Sequence, residues 1–158
     1  MYIITILSTA VLLFLDQIAK YLAVLHLKGQ AAIPIIKNVF ELQYLENQGA
    51  AFGIMQGKKT FFVIGTLIFL VIVGILYHNI PLTKRFTPIR IVAVLIVAGA
   101  IGNMIDRVVH QYVIDFFYFK LINFPIFNVA DIYVVVACIL FILLMLFYYK
   151  EEELGQIF

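Results

Sequence analysis

Four long apolar stretches limit what this chain can fold into more than any other feature. They cover residues 3–25, 61–77, 89–105 and 129–149. Each is close to the roughly 20 residues that an α-helix needs to cross a hydrocarbon layer about 30 Å thick, and lipid-exposed backbone must satisfy its own hydrogen bonds. Only 13% of the residues are charged, so a soluble bundle of such helices would lack polar outer faces. We therefore predict an integral membrane protein, mainly α, with four transmembrane helices in a single domain over residues 1–158.

Charge and cysteine content exclude several protein classes. The first stretch lacks a basic start and a small-residue cleavage site and carries Asp16 and Lys20, so we expect a retained span rather than a secretory signal. Cys138, the single cysteine, lies within the fourth stretch, where we expect a small buried apolar residue and no disulfide. The net charge of +2 is too small and too scattered to predict nucleic-acid binding.

Two connecting segments predict β-structure at the membrane surface. In "VFELQYLE", Phe40, Leu42 and Tyr44 alternate with polar residues such as Glu41, which is the period of a half-buried strand. The segment "QYVIDFFYF", residues 111–119, is rich in β-branched and aromatic residues. These segments predict a small β-structured ledge on one side of the membrane.

The orientation of the chain does not follow from its charges. Four spans place both termini on the same side as the short loop 78–88, which contains Lys84 and Arg85. The other two loops also carry several basic residues, so a count of lysines and arginines does not satisfy the positive-inside rule. The sequence alone leaves the orientation open.

Ionisable side chains gather on the side opposite the termini. An up-down-up-down path brings together there Asp16, Lys20, Asp106, Arg107, Asp115 and Asp131. A carboxylate at the edge of hydrocarbon costs several kcal/mol and normally faces protein or a water-filled cavity. This grouping therefore indicates a functional site.

Asp115 and Asp131 are the chemically suggestive pair. Asp16 and Lys20 are spaced i, i+4 and can pair on one helix face, and Asp106 with its neighbouring arginine can hold the end of the third span. Asp115 and Asp131 have no such cation nearby in sequence. Two carboxylates at low dielectric cannot both ionise cheaply, so one keeps a proton while the other acts as a base. This division suits general acid and base catalysis.

Other catalytic chemistries receive little support. Ser8 is the only serine, and Cys138 lies deep in a span away from any histidine. The three histidines lack ligand spacing and no HExxH motif occurs. We therefore expect neither a metal nor a cofactor.

Asparagines and glycines lie beside the acidic motifs. The asparagines could orient carboxylates or bind a substrate backbone, and Asn128 could also cap the fourth span. The glycines would allow turns and close approach of the backbone. These residues are Asn47, Asn103, Asn128, Gly49, Gly53 and Gly102.

Five ordered motifs resemble one family over essentially the whole chain. They are "DQIAK" (16–20), "NQGAAFG" (47–53), "GAIGNMIDR" (99–107), "VIDFF" (113–117) and "FPIFNVAD" (124–131). With these motifs the chain resembles the bacterial lipoprotein signal peptidases, or type II signal peptidases. The resemblance implies an aspartyl endopeptidase in the cell membrane with four spans, cytoplasmic termini and an extracytoplasmic ledge.

The resemblance also implies roles for individual residues. Asp115 and Asp131 match the catalytic dyad of the family, whose substrate is a prolipoprotein with a diacylglyceryl-modified cysteine. Asn47, Arg107 and Asn128 are expected to align the substrate backbone and the dyad. Supporting groups are expected at Asn103, Asp106, Asp16, Lys20 and Gly49. We further expect a monomer in contact with membrane lipid, and binding of globomycin-like cyclic peptide inhibitors at the dyad.

A few residues depart from the family pattern. Ala19 stands where a hydroxyl residue is common, and Ala98 and Gln111 stand where glycine is frequent. Gln111 puts in doubt a turn with positive φ before "YVID".

Two other readings remain open at the level of sequence. A proton-coupled transporter would spread acidic groups through the membrane, whereas here they crowd towards one face. A non-catalytic scaffold would tolerate asparagine at Asp115 and Asp131. The aromatic residues Phe52, Phe116, Phe117 and Phe124 are expected either to clamp a substrate or to anchor the protein at the interface.

Overall fold

Four helices follow the four apolar stretches closely. The computed structural model describes residues 2–49, 58–155 and 157, so Phe52 and Gly53 lie outside the described residues. The helices are α1 (Tyr2–Leu27), α2 (Lys59–Asn79), α3 (Thr87–Val109) and α4 (Val129–Leu143), which continues as a π-turn over Leu144–Tyr148. A short helix, α5 (Glu151–Leu154), follows. The four long helices are apolar enough to cross a membrane, which confirms the predicted mainly α membrane fold.

The outer faces of the spanning helices carry large apolar side chains. In α2 no residue is buried, and each of the four helices carries exposed isoleucine and valine side chains, joined by leucine and phenylalanine on α1, α2 and α4. Such surfaces suit lipid rather than water. Cys138 is also exposed, so the prediction of a buried cysteine was wrong: Ala137, its neighbour, takes the position that faces the helix bundle.

Three antiparallel strands form the ledge beside the helices. They are β1 (Ile33–Ile36), β2 (Phe40–Asn47) and β3 (Val113–Tyr118), with β2 in the centre. Both predicted strands are confirmed. The sequence analysis missed β1, whose Pro34 lacks an amide donor and therefore suits an edge strand.

One face of the ledge packs on α1. Leu42 and Tyr44 join Ile114 and Phe116 against the end of that helix, near Ala23. Glu41 departs from the predicted polar face of β2, because its side chain is buried. The Nζ of Lys120 donates to Glu41 Oε1 at 2.8 Å, which compensates the buried charge.

Close contacts between α3 and its neighbours depend on glycine. A Cβ at Gly102 would lie 2.6 Å from Asp16 Oδ2, and a Cβ at Gly99 would lie 2.5 Å from the Ala130 carbonyl oxygen. These positions bring the backbone of α3 against α1 and α4. The close approach expected at Gly102 is therefore present.

The turn from α3 into β3 uses a positive φ without glycine. Gln111 has a φ of 72°, so the doubt that the sequence raised about such a turn was wrong. The backbone there accepts the strain of a side chain in the left-handed region. This turn places Asp115 beside the ends of the spanning helices.

Candidate active site

Asp115 lies in β3 with both carboxylate oxygens held by asparagine amides. Only 1% of the residue is exposed. Asn47 Nδ2 donates to Oδ2 at 2.8 Å, and Asn128 Nδ2 donates to Oδ1 at 2.7 Å. The strand pairing between β2 and β3 brings Asn47 opposite Val113, on the face of the sheet that carries Asp115. The carboxylate is thus fixed by amides rather than by a cation.

Asp131 lies in the first turn of α4 and closes a capping box. Its backbone N–H donates to Asn128 Oδ1 at 3.0 Å, while its own Oδ2 accepts the Asn128 backbone N–H, also at 3.0 Å. This reciprocal pattern satisfies two amide groups that a helix start leaves unpaired, and it confirms the cap expected at Asn128. Asn103 Nδ2 donates to the other oxygen of Asp131, Oδ1, at 2.8 Å.

Asn128 therefore connects the two aspartates. Its amide nitrogen donates to Asp115, its amide oxygen accepts from the Asp131 backbone, and none of the residue is exposed. The same nitrogen also donates to Asn103 Oδ1 at 3.0 Å. Asn128 thus bonds to both carboxylates, to that of Asp115 through its side-chain amide and to that of Asp131 through its backbone N–H.

Lys20 binds three groups behind this pair. Its ammonium lies 2.9 Å from Asp16 Oδ2, 2.9 Å from Asp106 Oδ2 and 3.0 Å from Asn103 Oδ1. All three N–H donors of the lysine are thereby used. Because the lysine binds the oxygen of Asn103, the nitrogen of that amide is the atom that faces Asp131. The predicted pairing of Asp16 with Lys20 is present in the structure.

Asp106 and Arg107 bond to different partners. Asp106 pairs with Lys20 and accepts the Ile114 backbone N–H at 3.1 Å. Arg107 donates to the carbonyl oxygens of Gly49 at 3.2 Å and Asn103 at 3.4 Å. The two side chains point in different directions because adjacent residues on an α-helix are about 100° apart.

Gln17 belongs to the same cluster and was missed by the sequence analysis. Its Nε2 contacts Asp106 Oδ1 at 3.2 Å, Asp16 Oδ2 at 3.1 Å and the Gly102 carbonyl oxygen at 3.4 Å. A polar side chain between Asp16 and Lys20 in an apolar helix was the available signal. Gln17 reinforces the contact between α1 and α3.

Both aspartates line one cavity of about 560 Å³, which we call the dyad cavity. Its polar side chains are those of Asn47, Asn103, Arg107, Asp115 and Asp131, and Gly49 lines it as well. Ile132, Val135 and Val136 give it an apolar wall on α4. Phe124 lines the cavity as well, whereas Phe116 is buried behind the sheet and cannot clamp a ligand there.

Burial changes the ionisation of Asp115. Removal from water raises the pKa of its carboxyl to about 7, and the nearby charge of Asp131 acts in the same direction. A proton is therefore available on this side of the pair near neutral pH. Among the described residues, no cluster of three His, Cys, Asp or Glu side chains could hold a metal ion. The arrangement suits acid and base chemistry by carboxyl groups.

Comparisons with known proteins cover most of the chain. A family model described as "Signal peptidase (SPase) II" matches residues 8–147. A lipoprotein signal peptidase of Clostridium novyi (strain NT) is 45% identical over 133 residues, covering 81% of this chain and 87% of that protein. A lipoprotein signal peptidase of Streptococcus pyogenes serotype M5 (strain Manfredo) is 38% identical over 150 residues, covering 95% of each chain.

Two solved structures of bacterial membrane enzymes, both obtained by the in meso method, share this fold. One has a TM-score of 0.80 and 34% identity, and it covers 93% of this chain and 92% of its own. The other has a TM-score of 0.78 and 33% identity, with 92% and 94% covered. The similarity therefore extends over the helices and the ledge together.

Proposed function

Because the chain belongs to the signal peptidase II family, we propose that it removes signal peptides from diacylglyceryl-modified prolipoproteins by hydrolysis just before the lipidated cysteine. Asp115 and Asp131 are the catalytic pair in this proposal. The observation that carries it is the position of Asn128 on the wall of one cavity: its side-chain amide donates to the Asp115 carboxylate, and its backbone N–H donates to the Asp131 carboxylate.

The pair needs one proton to begin the reaction. The ionised aspartate takes a proton from water while the water oxygen bonds to the scissile carbonyl carbon, and the protonated aspartate gives its proton to the carbonyl oxygen. When the intermediate collapses, the C–N bond breaks and the amine leaves with the proton taken from water. The hydroxyl proton returns to the pair, which again holds one proton.

The remaining polar groups support the pair and the substrate in this proposal. Asn47, Asn128 and Arg107 align the substrate backbone and the dyad, and the Gly49 carbonyl holds the guanidinium of Arg107. Behind them, Asp16, Lys20, Asn103 and Asp106 fix the amides that face the carboxylates.

In this proposal, the apolar wall of the dyad cavity accommodates the lipid part of the substrate. Ile132, Val135 and Val136 belong to a spanning helix, so diacylglyceryl chains can stay in hydrocarbon while the peptide bond reaches the dyad. We propose that the protein acts as a single-domain monomer in the cell membrane, with cytoplasmic termini and the ledge outside. Globomycin-like cyclic peptides would occupy the same cavity.

Cleavage by purified variants tests the proposal. Asp115→Asn and Asp131→Asn keep the shape of the side chain but cannot exchange a proton, so each should reduce turnover of a diacylglyceryl-modified prolipoprotein at least about 1,000-fold. Glu41→Gln is the control, because it neutralises a ledge carboxylate that does not line the dyad cavity. Near-parental cleavage by either aspartate variant, at matched folding, would overturn the two-aspartate mechanism.

A further inference from the structure

A second cavity, of about 580 Å³, lies between α1 and α3 at their ends away from the dyad cavity. Its lining residues come from the first half of each helix, between Ile4 and Leu12 on α1 and between Thr87 and Leu95 on α3. We call it the Arg90 groove, because Arg90 is the only charged residue among the described residues that line it. No described residue lines both this groove and the dyad cavity, so the two are separate sites.

Arg90 is a buried cation whose hydrogen bonds are incomplete. Only 4% of the residue is exposed. Its Nη2 donates to the carbonyl oxygen of Ile80 at 2.7 Å and to that of Pro81 at 2.6 Å. Its Nε and Nη1 are buried and have no partner among the described residues. Because every nitrogen of a guanidinium carries hydrogen to donate, two of the three nitrogens lack an acceptor.

The charge of Arg90 is also without a counter-ion in the described part of the chain. None of the ion pairs found there includes Arg90. Arg85, an arginine at the same end of α3, differs in this respect, because it donates to both carboxylate oxygens of Glu153 at 2.8 and 2.9 Å. A charged side chain within a spanning helix normally pairs with an opposite charge or a polar group. Arg90 therefore lacks an anion that the groove could supply.

The walls of the Arg90 groove suit a hydrocarbon chain. Leu7, Val11 and Ile91 line it and are 60%, 58% and 49% exposed. They belong to helices that are apolar enough to cross a membrane, so the groove opens to the lipid-facing surface. Ser8 and Thr87 also line the groove, and their hydroxyls can donate to an anionic oxygen.

The depth of Arg90 in the membrane matches the position of lipid headgroups. Arg90 is three residues after Thr87, the first residue of α3, which is about 4.5 Å along the helix axis. Headgroups occupy several ångströms on either side of the hydrocarbon, whereas Val94 and Leu95 extend the groove deeper. The planar guanidinium of arginine binds phosphate oxygens through two N–H groups at once. A phosphate with an attached acyl chain thus complements both parts of the groove.

From this arrangement we infer that the Arg90 groove binds one phospholipid from the leaflet on the side of the termini, with its phosphate on the Arg90 guanidinium and an acyl chain between α1 and α3. The bound lipid joins these helices at the end opposite the cluster of Asp16, Lys20 and Asp106, and it therefore stabilises their pairing. The inference concerns a site outside the catalytic pair and does not depend on the proposed peptidase activity.

Lipid binding to the purified protein in an uncharged detergent tests the inference. The probes are phosphatidylglycerol, a diacylglycerol with the same chains but no phosphate, and inorganic phosphate. Native mass spectrometry measures the affinity of each probe, and thermal unfolding measures its effect on stability. We expect phosphatidylglycerol to bind more tightly than either other probe and to raise the unfolding temperature, since a ligand that binds only the folded state stabilises it.

Three variants assign the binding to the groove. Arg90→Gln should weaken phosphatidylglycerol binding about tenfold, the effect of losing a hydrogen bond to a charged group. Ser8→Phe should fill the groove and weaken binding to a similar degree, while the bonds from Arg90 to the Ile80 and Pro81 carbonyls stay in place. Arg85→Gln is the matched control: it removes a cation at the same end of α3 that does not line the groove, so it should keep the parental affinity.

Several results would overturn the inference. Parental affinity in Arg90→Gln and Ser8→Phe would show that phosphatidylglycerol binds elsewhere, and an equal loss in Arg85→Gln would show a general attraction to basic residues. Equal binding of diacylglycerol would mean that the phosphate contributes nothing, and equal binding of inorganic phosphate would make a free anion the ligand. If Arg90→Gln fails to fold, Ser8→Phe decides, and its parental affinity would reject the site.

Discussion

At the scale of residues, the site is built from amides that donate to carboxylates, and one ammonium orients one of these amides. Asn47, Asn103 and Asn128 all donate to the aspartate pair, and Lys20 fixes Asn103 from behind. Amide donors hold a carboxylate in place without the full charge of a cation. The pair can therefore keep a proton near neutral pH, which a directly bound lysine would oppose.

The raised pKa of Asp115 predicts how the rate depends on pH. Below a pH of about 7 the carboxyl holds a proton, and above it the proton is lost, so kcat/KM should fall as the pH rises through this value. Asn47→Ala removes a hydrogen bond that favours the ionised form and should move the fall to higher pH. A profile of kcat/KM measured with one peptide over pH 5 to 9 is the check. A fall that Asn47→Ala moves to lower pH would contradict the assignment.

The buried lysine predicts a large loss of stability on substitution. Lys20→Met leaves Asp16 and Asp106 buried without their cation, which should cost about 3–5 kcal/mol. Lys28→Met breaks an exposed pair with Glu46 and should cost at most about 1 kcal/mol. Thermal unfolding of both variants in the same detergent makes the comparison. Equal losses would show that the buried cluster contributes no more than a surface pair.

At the scale of elements, glycines decide how closely α3 approaches its neighbours. Gly99 and Gly102 face backbone or carboxylate atoms of α4 and α1, whereas a Cβ at Gly65 or Gly74 in α2 would have no atom within 4 Å. The same residue type therefore has a packing role on one helix and none on another.

Alanine substitutions test this difference between the helices. Gly102→Ala would push on the Asp16 carboxylate and should destabilise the protein by about 1–3 kcal/mol, as overpacking does. Gly74→Ala, the control, should be neutral or stabilise by up to about 1 kcal/mol, since alanine is the better helix former. Unfolding in detergent gives both values. A neutral Gly102→Ala would mean that α1 and α3 can separate without loss.

At the scale of the whole molecule, the site lies where the membrane helices meet the ledge. Asp115 comes from the sheet, Asp131 from α4 and Lys20 from α1. No single element contains the site. At this junction an apolar wall from a spanning helix meets polar side chains of the ledge and the helix ends.

The proposed orientation predicts which positions are accessible from outside the cell. In a Cys138→Ser background, Lys37→Cys on the ledge should react with a membrane-impermeant maleimide in intact cells. Glu152→Cys in the tail should react only after the membrane is opened. Both positions are exposed in the structure, so access to the membrane side is the only difference between them. Labelling of the tail in intact cells would reverse the orientation.

Much of this arrangement could be predicted from sequence, because membrane-spanning helices require long runs of apolar residues. Runs of apolar residues fixed the four spans, and alternation fixed β2. The side of the membrane shared by the aspartates followed from counting spans. The predictions that failed have local causes. Strand β1 is short and contains Pro34, and Gln111 takes a positive φ that usually selects glycine. Cys138 faces outwards because a lipid-exposed helix buries only one side.

By itself, the sequence determined the spans, the residue types of the site and their common side, since each depends on hydropathy and order along the chain. Only the tertiary structure decided which groups bond to which. Lys20 contacts Asp106, 86 residues away along the chain, and Asn128 donates to two carboxylates on different elements, one through its side chain and one through its backbone N–H. Such pairings depend on the close packing of α1, α3 and the ledge. They produce no periodic pattern along the chain, so the sequence alone does not predict them.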